Sequence, residues 1–168
     1  MEKEALVDVV GKACTELDVP FFACRGYVSQ SEMWTASQRF CESDKANYIV
    51  HLGDHDPSGV DMTRDIEDRM ELFGVEVEVR RIALNFNQVE RYNPPPNPAK
   101  ITDSRAKGYI SRFGRESWEL DALNPSTIKE LVSDEVLLLT DIDLWDVERQ
   151  REVREKEGMK SYIGKLDL

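Results

Sequence analysis

The most constraining feature of this 168-residue chain is a short apolar run that ends in a cluster of turn-forming and acidic residues. The run, Tyr48–Leu52, is almost entirely apolar, as is typical of a strand covered on both faces in a parallel sheet. Gly53 ends the run. Asp56 and Pro57 then favour a helix start, because Asp caps helices and Pro needs no backbone N–H in the first turn. The stretch therefore predicts a strand, a tight turn and a helix in direct succession.

Two carboxylates, Asp54 and Asp56, lie in this turn. In extended chain, residues two apart point the same way, and their Cα atoms are roughly 6–7 Å apart. Ligands of open α/β sheets bind at the carboxyl ends of the strands, where this turn is predicted to lie. Paired carboxylates beside a helix N-terminus suit Mg²⁺ together with a phosphate group. The turn is thus a candidate metal site, with Mn²⁺ as the alternative ion.

The same residues have two other interpretations. In the first, Asp56 only caps the helix and Asp54 is a solvated loop acid, which leaves the second carboxylate without a role. In the second, His51 and His55 join the two aspartates in a transition-metal phosphohydrolase site. Transition metals normally take more imidazole than two histidines supply. We therefore expect His51 to be a packed strand residue and His55 a loop residue beside the site.

Helix and strand patterns alternate along the first half of the chain. This alternation predicts an α/β fold with a mostly parallel sheet flanked by helices. The predicted elements before and after the central stretch are a helix over 3–17, a strand over Val19–Cys24, a helix from Ser29 to Phe40, a helix that Gly74 ends, and a strand from Val75 to Leu84.

The remainder of the chain predicts a loop and a helical extension. Four prolines within five residues make Asn85–Lys100 an extended, semi-rigid loop. A short helix ending at Gly114 and a strand over Ser117–Leu123 follow. We expect one α/β core over residues 1–123 and a C-terminal helical extension over 124–168, packed on the core. The extension starts at Pro125 and becomes a mixed-charge helix that ends near Gly158.

The charge is unevenly distributed. The net charge of −11 argues against tight nucleic-acid binding by this chain alone. Residues 76–115, however, carry eight basic against four acidic residues, and local charge decides where a phosphate backbone can lie. The residues that we expect to contact nucleic acid, DNA rather than RNA, are Arg25 (at the sheet edge with the aspartates), Lys100, Arg105, Lys107 and Arg112. Arg25 has an equally good alternative as the partner of a nearby acid.

The pattern Gly-Asp-x-Asp-Pro-x-Gly at residues 53–59 resembles the second acidic motif of the Toprim (topoisomerase–primase) domain. It is most similar to the version in the A subunit of topoisomerase VI and its meiotic recombination relatives. The block from Asn87 to Leu123 resembles segments found beside Toprim motifs in phage and mobile-element proteins. The resemblance implies a Rossmann-like Toprim fold, Mg²⁺ held by Asp54 and Asp56, and phosphodiester chemistry on nucleic acid. It also implies that Glu2 is the family's catalytic glutamate, which binds metal and transfers a proton.

The sequence departs from that family in two respects. No strand precedes Glu2, so the chain is expected to be a fragment or to obtain that strand elsewhere. None of the five tyrosines lies in a recognisable nucleophile setting. Nicking, hydrolysis or service as the metal-binding half of a larger enzyme therefore fits better than strand passage. The alternative is a non-catalytic interaction module that keeps the Toprim scaffold.

Neither a membrane span nor a signal peptide is predicted, and the three cysteines are expected to be free thiols in the cytoplasm.

Overall fold

The computed structural model describes residues 4–22 and 27–166, and the expectations for Glu2 and Arg25 lie outside these ranges. The described residues divide into two compact units, one up to Ser133 and one from Asp134 onward. The elements in chain order are α1 (Glu4–Glu16), α2 (Gln30–Cys41), β1 (Tyr48–Leu52), α3 (Pro57–Leu72), β2 (Glu78–Ala83), α4 (Phe86–Tyr92), β3 (Asn97–Pro98), α5 (Ala106–Phe113), β4 (Glu116–Ser117), a 3₁₀ turn (Leu120–Ala122), α6 (Pro125–Leu139) and α7 (Ile142–Leu166).

The α/β character and the parallel pairing are confirmed. β1 and β2 pair in parallel, and α3 connects them. Among the described residues this parallel sheet has two strands, and β3 and β4 form a separate antiparallel pair. The register shifts at the carboxyl end of β1: His51 lies opposite Arg81, but Leu52 lies opposite Ala83. This bulge leaves Ile82 of β2 without a Cα partner in β1.

Helices α2 and α3 cover the sheet through a small apolar cluster. Its buried members are Val28, Met33, Ala36, Ile66 and Met70, with Ile49 and Val79 of the strands packed against it. A capping box between Ser29 and Glu32 starts α2, as the sequence predicts. Both helices therefore combine an N-capping residue, Ser29 or Asp56, with an apolar face that packs on the sheet.

The predicted strand over Val19–Cys24 is wrong for the part that the structure describes. Residues 19–22 adopt no regular secondary structure, and Ala23 and Cys24 lie outside the described ranges. Pro20 has no N–H for a strand ladder, and the Phe21 and Phe22 side chains are 43% and 41% exposed. An apolar run alone did not distinguish a strand from a partly exposed connection.

The second strand starts later than predicted. β2 begins at Glu78, because Val75 belongs to the end of α3. Gly74 takes a left-handed conformation (φ 72°), and the Val75 N–H donates to the Met70 carbonyl at 3.0 Å. The buried Val75 side chain thus closes the helix rather than opening the strand.

The predicted loop Asn85–Lys100 contains a helix, which corrects that expectation. Asn85 and Gln88 form a capping box that starts α4, and Asn93 ends it in the left-handed region (φ 46°). After the prolines, β3 pairs with β4. The prolines exclude helix only where they lie, and the capping residues upstream form one before them.

The predicted strand Ser117–Leu123 is also shorter in the structure. β4 ends at Ser117, Trp118 makes an isolated bridge to His55, and a 3₁₀ turn follows. Trp118 and Leu120 are buried, whereas Ala122 is exposed. The chain turns at Leu120 because this segment pairs with Asp54 and His55 after β1 instead of extending a sheet.

The C-terminal extension begins at Pro125 as predicted, but it consists of two helices, and the second continues beyond the predicted end. The division between the two units falls within α6, and Ile128 and Val132 in its first half are buried. α7 continues past Gly158 to Leu166, with i,i+4 ion pairs such as Arg151–Glu155 along its exposed surface. No helix in the described ranges has the length and apolar character to cross a membrane.

Gly59 in the first turn of α3 should be the least tolerant of the glycines in the described ranges. A Cβ atom there would lie 2.2 Å from the Asp54 backbone oxygen, so Gly59→Ala must displace the turn. We expect it to lower the free energy of unfolding by about 3 kcal/mol or more, measured by urea denaturation. The control is Gly108→Ala in α5, where a Cβ meets nothing within 4 Å. Helix propensity should make that variant about 0.5–1 kcal/mol more stable. Equal stability of the two variants would contradict the close approach.

Candidate functional site

The acidic turn, defined as residues 53–56, lies at the carboxyl end of β1 and is anchored to β2 through backbone hydrogen bonds. The Gly53 N–H donates to the Ala83 carbonyl at 2.8 Å, and the Leu84 N–H donates to the Gly53 carbonyl at 2.7 Å. Both aspartates are half-buried. The position predicted for Asp54 and Asp56 is therefore confirmed: they follow a parallel strand directly and precede the N-terminus of α3.

Asp56 is the N-cap of α3, as one interpretation of the sequence holds. Its carboxylate accepts the Gly59 N–H at 2.5 Å and the Ser58 hydroxyl at 3.1 Å. A carboxylate at this end of a helix is stabilised by the macrodipole as well as by the hydrogen bond. Capping does not exclude a metal, because a carboxylate has about four lone-pair positions.

Asp54 is not a solvated loop acid. One of its carboxylate oxygens accepts the Leu120 N–H at 2.7 Å, from the 3₁₀ turn 66 residues further along the chain. A charged acceptor makes this hydrogen bond stronger than a neutral one would be. Asp54 thus ties the acidic turn to the segment that follows β4.

His55, which we expected in a loop, is almost completely buried (3% exposed). Its backbone N–H and carbonyl pair with those of Trp118 at 2.8 and 3.0 Å. The Tyr109 hydroxyl donates to the His55 carbonyl at 2.8 Å and lies 2.7 Å from Nδ1. With the imidazole proton on Nδ1, the ring donates to the Tyr109 oxygen, and the tyrosine proton is left for the carbonyls of His55 and Glu116. Four aromatic rings surround the imidazole at centroid distances of 4.7–5.7 Å: Phe86, Tyr109, Phe113 and Trp118.

Arg81 of β2 is a site residue that the sequence analysis counted only as a charge. Its Nη2 donates to the carbonyls of Gly53 (2.9 Å) and Asp54 (2.8 Å), and its Nη1 donates to the carbonyl of Gly59 (2.8 Å). The Nε atom is buried and has no hydrogen-bond partner in the described part of the chain. A charged residue directly before the buried run Ile82–Leu84 was the signal that could have revealed it.

Burial and the Arg81 charge set the protonation states of the site. Burial first, and Arg81 second, lower the pKa of His55 to about 4 and that of His51 to about 3, so both are neutral at pH 7. Burial lowers the pKa of Arg81 to about 10, against the opposing effect of Asp54 and Asp56, so the guanidinium stays charged. Burial also raises the pKa of Tyr109, which keeps its hydroxyl protonated.

Arg105, predicted to contact nucleic acid, is held in an intramolecular network. Its guanidinium bonds to Asp103 at 2.7 Å and to Asp61 at 3.3 Å, and stacks over the Tyr27 ring. The Tyr27 hydroxyl also donates to Asp61 at 2.7 Å. Arg105 therefore joins α3 to the segment before α5, which makes it a poor phosphate ligand.

The other basic candidates in the described ranges remain on the surface. Lys100, Lys107 and Arg112 are exposed. Arg112 stacks over Phe113, one of the four rings that surround His55. Tyr109 and Phe113 of the same helix contact the His55 ring. Lys107 and Arg112 are thus carried by α5, which packs against the acidic turn, whereas Lys100 precedes this helix.

The described residues contain no group of three or more His, Cys, Asp and Glu side chains arranged to hold a metal ion. Asp54 and Asp56 supply two carboxylates, and the expected third, Glu2, lies outside the described ranges. Carboxylate oxygens fit Mg²⁺ or Mn²⁺ better than zinc. The two-histidine alternative has no geometric support: His51 Nδ1 bonds to Thr63 at 3.0 Å, and His55 is enclosed by aromatic rings.

Comparisons of this chain with protein-family models, with curated proteins and with solved structures give no match.

The two histidines should make the fold sensitive to acid. Unfolding returns each pKa to about 6.5, so between pH 6.5 and 4 the unfolded chain binds more protons than the folded one. The stability that depends on the neutral histidines is fully present above pH 6.5. It is lost as the pH falls toward 4. At about pH 5 the loss should be roughly 2 kcal/mol per histidine.

Proton NMR titration of the imidazole Cε1–H signals, with chelator present, measures these values directly because the chain has two histidines. Neither signal should titrate above about pH 5 in the folded protein, and both should titrate near 6.5 in urea. A midpoint near 6.5 for either histidine in the folded protein would contradict its enclosure.

Proposed function

We propose that the chain is a Toprim-type domain that processes phosphodiester bonds of nucleic acid, DNA rather than RNA, with Mg²⁺. The observation that carries the proposal is the position of Asp54 and Asp56. They lie at the carboxyl end of a parallel strand, beside the N-terminus of α3, in a turn fixed from two sides. That is where an open α/β sheet binds ligands.

In this proposal the side chains of the acidic turn bind and orient, and Glu2 supplies the third carboxylate. A bound Mg²⁺ would neutralise charge on the phosphate and orient the attacking oxygen. The N-terminus of α3 would place the positive end of its helix dipole beside the same phosphate, while its Gly59 N–H is bonded to the Asp56 carboxylate. Glu2 would hold and release the proton of the scissile oxygen. Nicking, hydrolysis or the cleavage half of a larger enzyme fits this set of residues.

The exposed cations support a nucleic-acid partner. Lys107 and Arg112 lie on α5, whose inner face packs on His55 of the acidic turn. A phosphate backbone that follows α5 would therefore pass near the two aspartates. A cytoplasmic location is part of the proposal, and the free thiols of Cys14 and Cys41 support it.

A second candidate function, a non-catalytic interaction module on the same scaffold, is favoured by one observation. Asp54 and Asp56 each have a structural role, since they accept the N–H groups of Leu120 and Gly59. In a module without metal, these hydrogen bonds would be their whole contribution. The two candidates differ in what metal does to the protein.

Metal binding and plasmid nicking test the choice. Wild-type protein should bind Mn²⁺ and nick supercoiled plasmid with Mg²⁺, whereas Asp54→Asn and Asp56→Asn should lose about tenfold or more in Mn²⁺ affinity and should not nick. The control is Asp44→Asn, an exposed acid in the loop before β1, which should behave as wild type. Millimolar Mg²⁺ should raise the melting temperature of wild type and control only.

Equal melting shifts in all four proteins, with no nicking by any, would reject the enzyme and leave the interaction module. Loss of nicking in the Asp44→Asn control as well would mean that nicking does not depend on Asp54 and Asp56 in particular, and the proposal would fail on that assay.

The basic surface is tested by the salt dependence of oligonucleotide binding. Lys107→Gln and Arg112→Gln should each lower the slope of log K against log salt by about one unit, because each lost phosphate contact releases one fewer counterion. Arg105→Gln should leave the slope unchanged, since its guanidinium is paired with Asp103 and Asp61. The opposite result, a changed slope for Arg105→Gln alone, would place the nucleic acid on the other side of α5.

A further inference from the structure

Arg81 connects the acidic turn to the first turn of α3. Its two terminal nitrogens reach the carbonyls of Gly53 and Asp54, where the chain leaves β1, and that of Gly59, in the first turn of α3. A fourth carbonyl, that of Leu84, lies 3.2 Å from Nη2. The planar guanidinium suits this arrangement because its donors diverge in a fixed fork.

The close approach of these carbonyl groups would be unfavourable without a hydrogen-bond donor between them. The Asp54 oxygen approaches α3 so closely that Gly59 has no space for a Cβ atom. Several partly buried carbonyl dipoles then converge on one region, and leaving them unpaired would favour a different turn. Gly53 contributes as well, because a Cβ there would come within 3.3 Å of Nη1 of Arg81.

The pairing of the two strands brings Arg81 of β2 next to the turn. Arg81 lies opposite His51, and the register shifts directly after this pair. Bulges commonly redirect a side chain next to a functional site. Because the Nε atom of Arg81 is unpaired, the hydrogen bonds of this side chain are made by its two terminal nitrogens.

We propose that Arg81 is the positioning residue of the acidic turn: its guanidinium fixes the backbone from Gly53 to Gly59 so that the Asp54 and Asp56 carboxylates are presented together to a divalent cation. This inference rests on the metal-binding role proposed above. Arg81 does not touch the cation. It acts through the backbone of the residues that do.

Positioning and plain electrostatics predict opposite results for removal of the charge. A cation repels a second cation, so if charge alone mattered, loss of the Arg81 charge would strengthen metal binding. If Arg81 fixes the turn, loss of its hydrogen bonds weakens binding, because the carboxylates must then be ordered when the metal binds.

The experiment is Mn²⁺ titration, followed by electron paramagnetic resonance, of the full chain as wild type, Arg81→Gln, Arg81→Lys and Arg80→Gln. Arg80→Gln is the matched control, since this neighbouring arginine bonds to Glu78 and stacks over Tyr48. Arg81→Gln should bind Mn²⁺ about tenfold or more weakly. Arg81→Lys should also bind weakly, although it keeps the charge. A single ammonium cannot reach the carbonyls of both the acidic turn and Gly59. The control should bind as wild type. Wild-type or tighter binding by Arg81→Gln, or wild-type binding by Arg81→Lys, would overturn the proposal.

Two further measurements keep the result interpretable. Circular dichroism and melting establish which variants fold, and if Arg81→Gln does not, Arg81→Lys decides the matter. If wild type binds no Mn²⁺, the proposed metal function fails, and the positioning claim is judged from amide chemical shifts without metal. Arg81→Lys should then shift the signals of Gly53, Asp54 and Gly59 and leave those of α1 unchanged. Unchanged signals in the turn would overturn the positioning role independently of the metal function.

Discussion

The hydrogen bonds from Arg81 to the backbone of the acidic turn are the interaction on which the candidate site depends. A strand, a turn and a helix meet there at a distance that only glycine permits at position 59. The carbonyls brought together by this approach need a donor, and the guanidinium supplies it from the neighbouring strand. The side chains of Asp54 and Asp56 are placed as a consequence of this backbone arrangement.

The far side of the turn is fixed by residues that lie between α4 and the 3₁₀ turn. His55 is enclosed by rings from α4, α5 and Trp118, its backbone pairs with that of Trp118, and Leu120 binds the Asp54 carboxylate. The acidic turn and the helix that carries Lys107 and Arg112 therefore share one buried junction. That junction explains why a small parallel sheet can hold an acidic site and a basic surface next to each other.

The sequence could predict the strand, the turn and the start of α3, because each depends on local chemistry: an apolar run, a glycine, a capping aspartate and a proline. It also contained the start of α4, since Asn85 and Gln88 are a readable capping pair that the prolines obscured. The contacts that complete the site could not be predicted. Asp54 meets Leu120 and His55 meets Tyr109 across 66 and 54 residues, and no local pattern encodes such pairings. Arg81 was missed because a charge in a strand is normally read as surface.

Native-state hydrogen exchange of individual amides tests most directly whether the acidic turn is a rigid platform held from both sides. The diagnostic amides are those of His55, Gly59, Trp118 and Leu120, which donate to Trp118, Asp56, His55 and Asp54 respectively. The account predicts that all four exchange only through openings as costly as those that expose the amides of β1. Exchange of these four amides at the rate of an unprotected loop, while β1 stays protected, would contradict it.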